Sequence, residues 1–206
     1  IALRSLPVFE QILVNAPADL SEADFNRKLF LARRRAEQQL AHDPLFYVTT
    51  LASTVISYKG LMMPEAIADF YQDLANPLMQ THICVFHQRF STNTAPQWRL
   101  AQPFRLLAHN GEINTIEGNR HWAEARSAKW RTPAIDLREL KPLVSLTGSD
   151  SMSLDNMLEV LLMGGMDLLQ ADEATLASLR GREVSMVFQS PRTALNPIRT
   201  VGDQLQ

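Results

Sequence analysis

A mixed α+β domain is the architecture that the sequence predicts, and three observations predict it. Two neighbouring runs rich in β-branched and aromatic residues, LFYVTT at 45–50 and TVISYK at 54–59, are separated by a short polar break and read as a hairpin. Two apolar runs, HICVF at 82–86 and FRLLA at 104–108, read as buried strands. Each of these strands delivers a polar cluster to its end, FHQRFSTNT at 86–94 and LAHNGEIN at 107–114, and the second leads into a helix expected from Ile116 to Trp130. Strand pairs followed by strands that feed a helix fit a layered arrangement of sheet and helix.

The remaining elements follow in order. Ser21 with Asp24 three residues on is a helix start, a hydroxyl cap with a carboxylate at the third position. Phe25, Leu29, Ala32, Ala36 and Leu40 then recur at helical spacing. Arg33, Arg34 and Arg35 lie inside that helix and point in three directions, which reads as a solvated flank. Pro64 opens a short helix through Leu74. Residues 95–103 carry two prolines and read as a loop, and 133–142 as a broken segment. Ser153 is expected to cap a helix with Leu154, Met157, Leu158, Leu161 and Leu162 on one face, ended by Gly164 and Gly165. The last forty residues have another rhythm: a short helix at 172–179, a strand at 183–188 and a loop at 189–201.

Composition bounds the function. Lysine plus arginine number 20 and aspartate plus glutamate 22, a net charge of −2, which gives no electrostatic footprint for nucleic acid or an anionic membrane. The hydrophobic fraction of 46% suffices for a core. The single cysteine, Cys84, cannot form an internal disulfide, so nothing points to an oxidising compartment. With no apolar run near the ~18 residues of a membrane span, a cytoplasmic protein is expected. The chain starts at Ile1, which reads as a piece of something longer or a processed chain.

Three clusters carry chemistry. Arg89, at a strand end and followed by Ser91, Thr92, Asn93 and Thr94, suits a carboxylate, because its planar fork gives paired charge-assisted hydrogen bonds. The alternative is a structural arginine paired with a nearby acid. Asn110 and Gly111 form either a tight turn or an oxyanion hole, in which an amide and a backbone N–H aim at a developing negative oxygen. Asp150, in Gly148-Ser149-Asp150-Ser151, belongs either to a turn and helix cap or to a seat for a ligand ammonium. His82, Cys84 and His87 are a poor metal set, because 82 and 84 share one strand face and 87 the other. Cys84 reads as a buried, inert thiol, and no metal site is expected. Together these residues describe a pocket for an amino acid with a side-chain carbonyl.

HQRFSTNT at 87–94, HNGEINTIEGNR at 109–120 and GSDS with SLDN at 148–156 resemble the glutaminase domain of the glutamate synthase large subunit, a class II glutamine amidotransferase. FNRKLFLARRR at 25–35 and YKGLMMPEAIADFY at 58–71 look like the same domain, and the likeness covers roughly residues 8–165. The resemblance implies an N-terminal-nucleophile hydrolase fold, with two antiparallel sheets layered between helices, of which residues 1–165 would be a part. It implies hydrolysis of L-glutamine to glutamate and ammonia by an N-terminal cysteine whose own amine is the base. Arg89 would bind the α-carboxylate, Asp150 the α-ammonium, and Asn110 with Gly111 would form the oxyanion hole. The ammonia would pass to a synthase part using FMN, an iron–sulfur cluster and NADPH or ferredoxin, with a small subunit or ferredoxin as partner; none of these cofactors is expected on this chain. Residue 1 is Ile1 where the family places its cysteine, so the chain is expected to bind glutamine and to be inactive alone.

The tail departs from this pattern. LRGREVSMVFQSPRTALNPIRTVGDQL at 179–205 resembles the ATP-binding subunits of peptide- and nickel-type ABC transporters, with Gln189 matching their Q-loop glutamine. No phosphate-cradling P-loop accompanies it, so no nucleotide site is expected. Residues 166–206 are therefore read as a partial ABC ATPase segment joined to the first domain near Gly164-Gly165. Two other readings are a non-catalytic interaction module, which would self-associate through apolar surface left uncovered, and a transporter ATPase fragment, which rests on the tail alone.

Overall fold

The computed structural model describes residues 2–88 and 95–167, together with residues 172 and 174. Arg89, Gln189, the 183–188 strand and the 189–201 loop lie outside the described residues, as does nearly all of the 172–179 helix. The α-helices are α1 (Glu22–Gln39), α2 (Ile67–Phe70), α3 (Ile116–Ser127) and α4 (Asp150–Met163), with short 3₁₀ turns between them that include Leu137–Leu140.

Helix α1 begins as its sequence dictates. Ser21 is in an extended conformation and its Oγ accepts the Asp24 backbone N–H at 3.1 Å, while its hydroxyl donates to the Asp24 carboxylate at 2.6 Å. The face that it buries is rotated from the expected one: Phe25, Phe30 and Arg33 are buried, whereas Ala32 and Leu40 are exposed. The reason lies in the basic triplet, which is not a solvated flank. Arg33 is 1% exposed and donates to both oxygens of Glu37, at 2.9 Å each, and to Glu159 of α4. Arg34 donates to the carbonyls of Leu140, at 2.8 Å, and Pro142. Only Arg35 is outward, in an exposed pair with Glu139 at 2.7 Å.

The apolar core joins α1, α4 and the Leu137–Leu140 turn through Phe30, Ile135, Leu137, Leu140, Leu143 and Val160. Burial of this order contributes about 25 cal/mol per Å² of apolar surface. A second, aromatic cluster joins Phe9 edge-on to Phe70, Tyr71 and Trp98 at centroid distances of 5.4–5.9 Å. The Pro64 helix is broken into a 3₁₀ turn, the four residues of α2 and a second 3₁₀ turn ending at Ala75.

Helix α4 is capped by Ser149, whose Oγ accepts the Met152 N–H at 3.1 Å; Ser153 instead lies one turn inside, bound to Arg120. Gly165, at φ +93°, ends it. The Gly165 N–H reaches the Leu162 carbonyl and the Met166 N–H reaches that of Leu161, both at 3.0 Å, the paired closure of a Schellman stop. Helix α3 ends at Ser127, three residues short of the expected Trp130.

No strand is assigned among the described residues, where the sequence leads one to expect a hairpin at 45–59 and strands at 82–86 and 104–108. Backbone groups that a ladder would use are taken by side chains. Thr50 Oγ1 accepts the Ser57 N–H at 3.4 Å, Arg105 donates to the Val48 carbonyl at 2.6 Å, and Tyr71 donates to the Lys59 carbonyl at 2.7 Å. In the 82–86 run the Thr81 hydroxyl bonds locally to the Ile83 carbonyl at 2.8 Å, the kind of side-chain bond that competes with a ladder. Ile83, Val85 and Phe86 are exposed, and so is Cys84, which is not the buried thiol that its apolar neighbours suggest.

Candidate functional site

Two segments build the site: the 107–113 loop and the first turn of α4. The loop is pinned from behind by Gln102, whose amide oxygen accepts the His109 N–H at 2.7 Å and whose amide nitrogen donates to the His109 carbonyl. A primary amide thus does the work of a neighbouring strand. Asp155, fully buried in α4, accepts the Leu106 N–H at 2.8 Å. With its backbone held on both sides, the loop turns at Gly111, whose φ of +71° lies where a side chain would be strained.

Of the sequence-predicted residues that are described, Asp150 is bonded beside the Asn110–Gly111 turn. Asp150 Oδ2 accepts the Ile113 N–H at 2.8 Å, and Oδ1 accepts the Ser151 N–H at 2.7 Å. The candidate ammonium seat and the candidate oxyanion turn therefore share one corner. Asn110 is exposed, its Oδ1 3.1 Å from His87 Nε2. The Gly111 N–H donates to His109 Nδ1 at 3.0 Å, and the same nitrogen lies 2.9 Å from the hydroxyl of Ser151, which is wholly buried. Gln102, His109 and Ser151 were not singled out from the sequence. The last two stand inside the quoted motifs beside their predicted neighbours, whereas nothing in the sequence marks Gln102.

Arg120 was also missed. It is 6% exposed and binds Ser153 Oγ through Nε at 3.0 Å, the Ser149 carbonyl at 3.3 Å and the Gly148 carbonyl. One guanidinium thereby locks α3 to the chain that enters α4.

Behind the site lies a buried charge cluster. Arg105 faces Glu37 at 3.3 Å and Asp155 at 3.8 Å. Lys59 is 6% exposed, donates to the Arg99 carbonyl at 2.9 Å and lies over the rings of Tyr47 and Phe104. Burial, reinforced by the nearby Arg105 charge, pulls the Lys59 amine down to about 7. Burial likewise pushes the Asp155 carboxyl above the usual carboxylate range.

A cleft of about 590 Å³ lies elsewhere, between Leu31 and the 130–139 segment. Its charges are already matched: Arg35 with Glu139, Arg138 with Asp136, and Arg131 with the carbonyls of Ala128 and Trp130. No group of three or more His, Cys, Asp or Glu side chains suited to a metal occurs among the described residues. No helix among them is long and apolar enough to cross a membrane.

Comparison with known proteins gives the family of the chain. The family profile for class-II glutamine amidotransferases matches residues 1–177. The NADPH-dependent glutamate synthase large chain of Azospirillum brasilense is 40% identical over 163 residues, 77% of this chain and 11% of its own. A ferredoxin-dependent glutamate synthase of Synechocystis sp. is 42% identical over 173 residues, 82% of this chain and 11% of its own. The NADH-dependent glutamate synthase of Saccharomyces cerevisiae is 42% identical over 149 residues, 71% of this chain and 7% of its own. This chain thus spans about a tenth or less of the length of these relatives. It belongs to the class-II glutamine amidotransferases and matches the glutaminase domain of glutamate synthase large chains.

Proposed function

We propose that the chain forms the glutamine-holding part of a glutamate synthase glutaminase site. Asp150 receives the α-ammonium of L-glutamine, Arg89 its α-carboxylate, and Asn110 with Gly111 the side-chain carbonyl oxygen. The observation that carries this reading is the 2.8 Å bond from the Ile113 N–H to Asp150. It fixes an anion next to the turn that bears two amide donors, so one small molecule with an ammonium at one end and a carbonyl at the other spans them. Electrostatic donors of this kind, aimed at a developing oxyanion, supply the largest single part of acyl-transfer catalysis. The exposed Cys84 is not given a role in attack.

The rest of the reading follows the two resemblances in the sequence. We place residues 1–165 within a layered α/β/β/α N-terminal-nucleophile fold and 166–206 in a partial ABC ATPase segment, with Gln189 as its Q-loop match. FMN, the iron–sulfur cluster and NADPH or ferredoxin belong to other parts of the synthase: one cysteine in 206 residues does not furnish a cluster. The ammonia released would serve glutamate biosynthesis in the cytoplasm. Self-association is a second reading, favoured by the exposure of Leu13 at 96% and Val8 at 90%.

Calorimetric titration with L-glutamine tests the site. Asp150→Asn keeps the hydrogen-bond acceptor for Ile113 and removes the charge, so affinity falls at least about tenfold, the scale of one charge-assisted bond. Arg89→Ala abolishes binding, and Arg138→Ala, at an exposed ion pair, leaves it unchanged. Equal affinity in Asp150→Asn and the parent chain refutes the assignment.

A further inference from the structure

The Gly111 N–H, one of the two proposed oxyanion donors, is already spent on the chain's own histidine. A backbone N–H only donates, so Nδ1 of His109 is an acceptor and the ring proton sits on Nε2. That nitrogen has one in-plane lone pair and two donors within reach: Gly111 N at 3.0 Å and Ser151 Oγ at 2.9 Å. The Ser151 hydroxyl has one proton and three acceptors: His109 Nδ1, the His109 carbonyl at 3.3 Å, and Asp150 Oδ1 at 3.4 Å. While Gly111 holds Nδ1, the hydroxyl proton has somewhere else to go. When Gly111 lets go, the same proton satisfies Nδ1. The swap leaves no buried polar atom without a partner, which is what makes it cheap.

We propose that His109 is a positioning residue that latches the Gly111 amide, and that Ser151 replaces Gly111 on the imidazole when glutamine opens the turn. This rests on the glutamine-site reading above. It adds a coupling between the two ends of the ligand. An ammonium arriving at Asp150 takes the carboxylate oxygen that the Ser151 hydroxyl also reaches, and so turns that hydroxyl toward His109. The amide that is released then meets the carbonyl oxygen of the same molecule. A ligand with a side-chain amide and no α-ammonium, such as 4-carbamoylbutanoate, lacks the first half of the exchange. Loop and helix have to be held still for the swap to be confined to three groups, which Gln102 and Asp155 achieve from the opposite side of the loop.

The test is NMR-detected hydrogen exchange at the Gly111 amide of the full chain, together with calorimetric titration of L-glutamine. His109→Leu removes the acceptor at similar size; His109→Asn restores an acceptor at the δ position. Without ligand, Gly111 exchanges at least about fivefold faster in His109→Leu than in the parent or in His109→Asn, the loss of one neutral hydrogen bond. Because a latch competes with the ligand, His109→Leu binds glutamine about three- to tenfold more tightly, and His109→Asn binds as the parent does. Ser151→Ala weakens glutamine binding by a similar factor and removes the preference for glutamine over 4-carbamoylbutanoate that arises at Gly111. Should His109→Leu fail to fold, Ser151→Ala decides: an unchanged preference overturns the proposal. Unchanged Gly111 exchange in a folded His109→Leu overturns the latch. Unchanged or weaker glutamine binding there overturns the competition. A parent chain that does not bind glutamine refutes the glutamine-site reading, and the exchange measurement still decides the latch by itself.

Discussion

Arg33→Ala is the substitution most informative about how this chain holds together. The guanidinium is 1% exposed, ties α1 to α4 through Glu159 and bonds Glu37 one turn along. Removing one member of a buried ion pair costs about 3–5 kcal/mol, because the partner stays buried without its counter-charge. Glu37 keeps Arg34 at 3.6 Å and Arg105 at 3.3 Å, so it is largely spared. Glu159, 9% exposed, bears the loss, and the expected cost is at the lower end, about 3 kcal/mol. For a chain of this size each kcal/mol moves the melting temperature by roughly 2–4 °C, so the transition falls by roughly 6–12 °C. Urea denaturation of the parent, Arg33→Ala, Glu159→Leu and the double variant closes the cycle. The double variant is less destabilised than the two singles added together, because no uncompensated charge is left inside. A single variant within about 0.5 kcal/mol of the parent, or strict additivity, refutes the assignment of a buried pair.

Lys59 makes stability depend on pH in a defined window. Its amine titrates near 7 in the folded chain against an ordinary 10.5. Between those values the unfolded chain binds the extra proton, so stability rises with pH from about 7 toward 10 and the penalty of charging the buried amine is present in full below 7. Lys59→Met removes this rise in urea denaturation between pH 7 and 9; an unchanged slope contradicts it. Gln102→Leu strips two hydrogen bonds from the His109 backbone and costs about 1–3 kcal/mol, with glutamine affinity falling alongside. Calorimetry showing unaltered affinity would separate Gln102 from the site.

Local signals in the sequence were read well where the chemistry is local. Ser21 with Asp24, and Gly164 with Gly165, start and stop α1 and α4 because caps depend on residues within one turn. The α4 start lies one turn before the expected one: Ser149 and Ser153 are both serines ahead of the apolar face, and Ser153 is engaged instead by Arg120, distant in the chain, and by the Ser145 carbonyl at 2.8 Å. Arg33 looked solvated because its partner, Glu159, is 126 residues away and nothing in the spacing joins them. The 82–86 run looks like a buried strand because its composition is that of one, but burial needs a neighbour, and Ile83, Cys84, Val85 and Phe86 are exposed. For the site, Asp150 bonds the Ile113 N–H two residues past Gly111, a link within the reach of the motifs, whereas the residue that clamps the loop, Gln102, carries no mark that a side-chain amide will stand in for a strand.

Thermal unfolding of the chain with and without millimolar L-glutamine tests the central claim most directly. A ligand that binds only the folded state raises the transition in proportion to the logarithm of its concentration. The account predicts a single cooperative transition that moves up with L-glutamine and moves less in Asp150→Asn. A transition indifferent to L-glutamine in the parent chain would contradict it.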